Sequence, residues 1–285
     1  MKKWIIGLLI GLFLLMGVMS LAEDPKVLRW VLIPAEEGAL ELELFAPIGE
    51  YLEEELGMPV EMTICSDYTA VVQAVKFGHA DMARFGPFNY VLATTQTEVE
   101  PLVRGIKKST GKDAYDCLIL TQRYSDIQTI EDIRGKTFAF VDPASTSGGL
   151  VPMTGLIVAG IDPKIDLREA FYTGSHGATI VALKNEKVDA GAVASNRFDD
   201  AIEGGVITEA ELVVIWRSDP ICNSPIAVRS DLSDELKAKI TKAFLEMPFE
   251  LALNYGCKTL GWVVAKDEDY DAIREIAKIL DLDLE

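Results

Sequence analysis

The sequence predicts an α/β protein of two lobes, joined by a hinge and separated by a cleft. Three observations carry this expectation. Short β-branched runs alternate with helical patterns along the chain, which indicates parallel sheets covered by helices on both faces. There are more such runs than one open sheet of ordinary width holds, so the strands divide between two sheets. The 285 residues, 49% hydrophobic, supply apolar surface for two cores without repeats or long linkers.

The elements follow in order. Residues 27–33 form a strand, and 46–56 a helix with Ile48, Leu52 and Leu56 in register, stopped by Gly57. Residues 60–65 are a strand. A helix at 68–77 aligns Val71, Val72 and Val75 and ends at Gly78. A short strand at 81–85, a helix at 88–95 and strands at 99–106 and 115–121 complete the first half. The second half repeats the rhythm, with strands at 137–141, 169–172, 188–194, 212–216 and 226–229. Helices at 146–159, 176–184 and 197–202 lie between them. From 233 to 280 the pattern is helical, opened by the acidic cap Ser233-Asp234-Glu235. The chain is expected to cross between lobes at 122–123 and to return at 219–224. Residues 23–122 and 223–285 then form lobe 1, and 123–222 form lobe 2.

Residues 1–22 precede this frame. Lys2 and Lys3, an apolar run over 4–19 and the small-residue ending Ser20-Leu21-Ala22 have the order of a secretory signal peptide, cleaved after Ala22. The run is long for that purpose, and an uncleaved membrane anchor is the competing reading. Export places the protein in the periplasm or another extracytoplasmic space. Cleavage would leave 25 basic against 45 acidic side chains, a net charge of −20 in place of −18. This balance argues against nucleic acid and against a basic membrane-surface role, because both need a cationic footprint. Four Cys and two His are too few for a zinc or disulfide-dense scaffold. Cys65, Cys117, Cys222 and Cys257 could pair in an oxidising compartment or serve as buried apolar filling. The sequence leaves all pairings open.

Candidate chemistry sits at four strand-to-helix junctions, where open α/β sheets bind ligands. These are Cys65-Ser66-Asp67-Tyr68, Phe85-Gly86-Pro87-Phe88-Asn89, Asp142-Pro143-Ala144-Ser145-Thr146-Ser147-Gly148 and Thr173-Gly174-Ser175-His176-Gly177. Helix starts leave unpaired N–H groups and a partial positive charge, so several aimed at one point bind an anion without any lysine. An N-cap alone needs one hydroxyl, whereas Ser145, Thr146 and Ser147 offer three. His176, at a Gly-flanked helix start, can donate to an oxyanion. His79 is read as a structural turn residue. Tyr68 serves either as a donor to a cleft ligand or as a half-buried core tyrosine.

At these residues the chain resembles the phosphonate/phosphite/phosphate-binding proteins of the PhnD type, exported solute receptors of ABC importers. The resemblance runs from about Leu28 to Arg229. It is carried by the segment from Asp67 to Gly78, by Phe85-Gly86-Pro87-Phe88-Asn89-Tyr90 and by the stretch from Gly135 to Gly148. Gly174-Ser175-His176 and Val188-Asp189-Ala190-Gly191-Ala192-Val193 complete it. It implies a type II periplasmic-binding-protein fold, with Ser145, Thr146 and Ser147 on the phosphonate oxygens and Tyr68, Tyr115 and His176 closing the cage. Two departures stand out. Cys117 occupies a position that is normally serine. Asn196, grouped with the ligand set, and Ser224 stand where relatives that recognise an aminoalkyl tail carry acids. This favours a compact phosphite, methylphosphonate or phosphate, or a tail without an amine.

The resemblance implies a monomer without cofactor or metal that closes on its ligand and is read by a membrane permease. A sensory protein delivering occupancy to a membrane receptor would share the same cleft. An enzyme would need Ser145 or Ser175 as nucleophile with His176 as base. No G-x-S-x-G elbow is present, and no Asp is placed to orient that histidine.

Overall fold

The computed structural model describes residues 24–35, 38–253, 258–280 and 282. Residues 1–22, with the expected signal peptide, and Cys257 lie outside the described residues. Two mixed sheets form the frame. From edge to edge the first runs Thr259–Val264, Val99–Lys107, Pro225–Arg229, Met82–Arg84, Leu28–Leu32 and Val60–Ile64. The second runs Leu212–Arg217, Cys117–Gln122, Ala190–Ala194, Thr137–Phe140 and Glu169–Tyr172. Each sheet keeps parallel pairs where helices connect the strands and adds antiparallel strands on one side. The expectation of purely parallel sheets is thus corrected: strands reached by a direct crossing need no helical return and pair antiparallel.

Three further expectations change. The 46–56 helix spans Gly38–Leu56, with Pro47 in its interior. An interior proline costs roughly 3 kcal/mol, but Phe45, Ile48 and Leu52 bury fully against Leu28, Trp30 and Leu32 and offset it. The 233–280 stretch is broken by strand Thr259–Val264, whose Trp262 packs 4.8 Å from Phe244. Residues 117–122, assigned from the sequence to lobe 1, form a strand of the second sheet. The apolar Cys117–Leu120 stretch is buried there.

The two crossings between sheets run side by side. Ala114–Tyr115 pairs antiparallel with Ile221–Cys222, and Asn223 N–H donates to Asp113 O at 2.9 Å. This ribbon is the hinge. Helix Asp271–Ile279 packs on Pro87–Gln96 from the first lobe and on Val151–Val158 from the second. Among the described residues Cys65, Cys117 and Cys222 are free thiols.

Asp81 anchors the first sheet from a fully buried position. Its carboxylate accepts from Arg29 Nε and Nη2 at 2.8 Å and from Arg229 Nε at 3.0 Å, tying the ends of three adjacent strands. Burial alone would raise this carboxyl, but the Arg29 hydrogen bonds and the Arg29 and Arg229 charges hold it below the usual carboxylate value. The contribution is therefore complete above about pH 4 and fades as the pH falls through the lower folded value. Asp81→Asn is expected to cost about 2–4 kcal/mol in urea melts and to flatten the acid limb of the stability curve. An unchanged limb would show that the arginines do not act through this carboxylate.

Candidate ligand-binding site

All four junctions deliver helix starts to one place. Asp67 caps Tyr68–Lys76, its carboxylate accepting from Ala70 N–H at 2.7 Å. Pro87 opens Pro87–Gln96, where its missing N–H is no loss. Ser175 caps His176–Lys184 through Ala178 N–H at 3.1 Å. The third junction is unusual. Thr146–Leu150 forms a wide π-type turn, with Leu150 N–H donating to Ser145 O and Val151 N–H to Thr146 O, before the α-helix begins at Val151. The helix expected from 146 thus starts five residues later, and the wide turn spreads its first amides, as such turns often do at functional sites.

Between these starts lies a cavity of about 30 Å³. A single water needs roughly 10–15 Å³ on this scale, so the space suits a compact ion. Tyr68, Tyr115, Ser145, Thr146, Ser147, His176 and Asn196 all line it. Ser224 joins them. Thr146 Oγ1 accepts from Phe88 N–H at 2.8 Å, a bond from the second lobe to the first. Two more bonds cross the cleft: His176 N–H donates to Ala35 O at 3.3 Å, and Tyr68 N–H donates to the Asp142 carboxylate. Ser145 Oγ accepts from Gly148 N–H at 3.2 Å, so one hydroxyl of the three is indeed a cap.

The expectation of a site without charged donors is overturned. Arg84, Lys107 and Arg197, each at most 4% exposed, also line the cavity. Arg84 and Lys107 end strands Met82–Arg84 and Val99–Lys107, and Arg197 stands in the first turn of Ser195–Glu203, so each reaches the cleft from its sheet's ligand-binding end. The Arg84 guanidinium lies 5.4 Å from the centre of the Phe45 ring, which supports its charge away from water. Arg84 was detectable in the sequence as a lone cation between Ala83 and Phe85 in an apolar run. Lys107 carried no such mark, because Lys108 follows it.

His176 is 5% exposed, and its Nδ1 accepts from Ala194 N–H at 3.2 Å. That bond places the proton on Nε2, the tautomer that donates. Burial, with Arg197 and Arg84 adding to it, lowers its pKa to about 3. The imidazole is therefore a neutral donor with one nitrogen occupied, and a poor general base. Ser175 is equally committed as a cap. Because the folded value lies below the unfolded one, the unfolded chain binds the extra proton between about pH 3 and 6.5, and stability rises with pH across that window. Replacing His176 with Gln is expected to remove part of this rise in melts between pH 4 and 7. An identical pH profile would mean that the imidazole is not held neutral.

Two glycines let the hydroxyl loop fold. A Cβ on Gly149 would lie 2.3 Å from Asp142 O, and one on Gly148 would lie 2.3 Å from the Val141 side chain. The Asp142 clash is with backbone and cannot be relieved by a rotamer change. Gly149→Ala is expected to displace the 145–150 turn and lower the melting temperature. A thermal melt with an unchanged midpoint would show that the backbone clash with Asp142 is relieved elsewhere.

Two α/β lobes on a paired-strand hinge, closed around an ion-sized polar cavity, have the type II periplasmic-binding-protein fold. A family described as "ABC transporter, phosphonate, periplasmic substrate-binding protein" matches residues 31–270, and the chain belongs to that family. It is 31% identical to the phosphate-import protein PhnD of Mycolicibacterium smegmatis, over 90% of this chain and 86% of that one. The binding-protein component of a phosphonate ABC transporter from Pseudomonas aeruginosa superposes with a TM-score of 0.83 at 23% identity, covering 90% of this chain and 87% of that one. PhnD1 of Prochlorococcus marinus in complex with methylphosphonate gives 0.80 at 20% identity, covering 90% and 99%.

Proposed function

We propose that this chain captures a compact phosphorus oxyanion (phosphate, phosphite or methylphosphonate) in the interlobe cavity and hands it to the permease of an ABC importer. The observation that carries this reading is the lining itself. Three buried cations and a run of hydroxyls surround an ion-sized space, and no carboxylate is among the described lining residues. A cation about 4 Å from an anion contributes about 4 kcal/mol at an effective dielectric near 20, so a few such neighbours overcome the repulsion of an acidic protein. The names of the Mycolicibacterium and Prochlorococcus proteins point to the same ligand class.

In this reading Ser145, Thr146 and Ser147 donate to the oxyanion together with the amides of the wide turn. Tyr68, Tyr115 and His176 enclose it, while Arg84, Lys107 and Arg197 balance its charge. Asn196 and Ser224 complete the lining around it. The protein acts as a monomer without cofactor and without turnover. Residues 1–22 direct export, and the closed form is what the permease reads.

Titration of the exported protein with phosphate, phosphite, methylphosphonate and 2-aminoethylphosphonate tests the reading. The first three are expected to bind more tightly than the amine-bearing compound. Thr146→Ala is expected to weaken the preferred anion by about ten- to a hundredfold, the loss of one charge-assisted hydrogen bond. Affinity that is unchanged in Thr146→Ala would remove the hydroxyl from the site. Preference for the amine would require a carboxylate beyond the lining described.

A further inference from the structure

The donor-rich lining raises a question of selectivity. Sulfate has the size and charge of a phosphorus oxyanion and accepts from the same donors. What it lacks near neutral pH is a proton. Discrimination therefore needs an acceptor inside the cavity. Two hydroxyls are already committed: Thr146 Oγ1 accepts from Phe88 N–H and Ser145 Oγ from Gly148 N–H, which leaves their hydrogens to the ligand. Arg84, Lys107 and Arg197 have no acceptor, and His176 spends its acceptor nitrogen on Ala194 N–H.

Asn196 differs from these, and from the lining hydroxyls of Ser147, Tyr68, Tyr115 and Ser224, in offering a carbonyl oxygen that can only accept. It is 7% exposed and lines the cavity, and its Oδ1 is buried with no hydrogen-bond partner. An unmet buried carbonyl is costly, and a ligand donor would relieve it. The backbone that carries it is fixed. Ser195 N–H donates to Asp116 O at 2.9 Å, and Asp116 N–H returns a 3.1 Å bond to Ser195 Oγ, locking this helix start to the segment that bears Tyr115.

Resting on the oxyanion reading above, we infer that Asn196 is the specificity-determining residue whose Oδ1 accepts a hydrogen bond from the ligand's P–OH. The site thereby selects protonated phosphorus oxyanions over sulfate and sulfonates. The same carbonyl would accept from a protonated phosphate, phosphite or methylphosphonate, and it offers nothing to an anion that has lost every proton.

Calorimetric or equilibrium-dialysis titration of the exported protein with phosphate and with sulfate tests this, comparing wild type, Asn196→Leu and Asn196→Asp, and titration of the same proteins with methylphosphonate at pH 6 and pH 9 reads the proton. Wild type is expected to prefer phosphate. Asn196→Leu should weaken phosphate about ten- to a hundredfold while leaving sulfate within about threefold, the resolution set by ordinary packing changes. Asn196→Asp keeps an acceptor. It should weaken both anions by repulsion yet retain the preference. Wild-type affinity for methylphosphonate should fall from pH 6 to pH 9 as its last P–OH proton is lost, and Asn196→Leu should flatten that dependence, whereas phosphate keeps one P–OH throughout. Where sulfate binds too weakly to register, or Asn196→Leu fails to fold, the pH dependence of wild type against Asn196→Asp decides.

Equal losses for both anions, or an unaltered pH dependence, would overturn the inference and make Asn196 a donor or a filler. Wild type that binds neither phosphate nor methylphosphonate would instead overturn the oxyanion reading itself.

Discussion

The Thr146 hydroxyl, accepting from Phe88 N–H across the cleft, is the contact on which the arrangement turns. It sets the first lobe's helix start at a fixed distance from the second lobe's hydroxyl loop. It also gives the hydroxyl a polarity: an oxygen engaged by a backbone amide directs its hydrogen elsewhere, and the cavity is where this one leads. A continuous apolar cluster supports the contact from behind. Phe88 and Val91 from one lobe and Leu150 and Val151 from the other belong to it, and Ile273 and Ala277 of the C-terminal helix wedge in beside them. The polar contact is thus held by packing, which is how a hydroxyl can be positioned without being made rigid by charge.

The same logic explains the wide turn. A regular α-helix starting at Thr146 would direct its first amides along one axis. The π-type turn spreads them instead, and it can form only because Gly148 and Gly149 bring the backbone against Val141 and Asp142. Asp142 in turn accepts from Ala144 N–H at 2.7 Å and from Tyr68 N–H in the other lobe. Loop shape, lobe registration and amide direction are therefore one mechanical unit.

Much of this was legible in the chain. The alternation of strands and helices identified both lobes, because buried strands and capped helices leave local signatures in β-branched runs, Gly stops and Ser/Asp caps. The Ser145-Thr146-Ser147 stretch stood out because three hydroxyls exceed what a cap needs. What stayed hidden was non-local. Strand Thr259–Val264 has an edge role defined only by its antiparallel partner Val99–Lys107, so nothing in its own pattern separates it from the surrounding helices. The helix expected from 46 begins at Gly38, because the burial of Phe45 outweighs the cost of Pro47 inside it. Arg84, Lys107 and Arg197 are far apart in sequence, and apart from Arg84 in its apolar run they look like ordinary surface cations. Only the fold shows that three strand and helix ends place them in the same small space.

On the proposed reading, those cations also explain how so acidic a chain holds an anion. At physiological ionic strength the Debye length is about 8 Å, so carboxylates spread over the surface are largely screened from the cleft. The cavity cations are not, because they are buried from water where the effective dielectric is lower, as the proposed lobe closure requires. That withdrawal is unfavourable by itself, and it becomes favourable when an anion enters with the cations. Charge burial and domain closure are then two descriptions of one free energy. The protein needs no net attraction at a distance, only a closed state whose electrostatics are better with the ligand than without it.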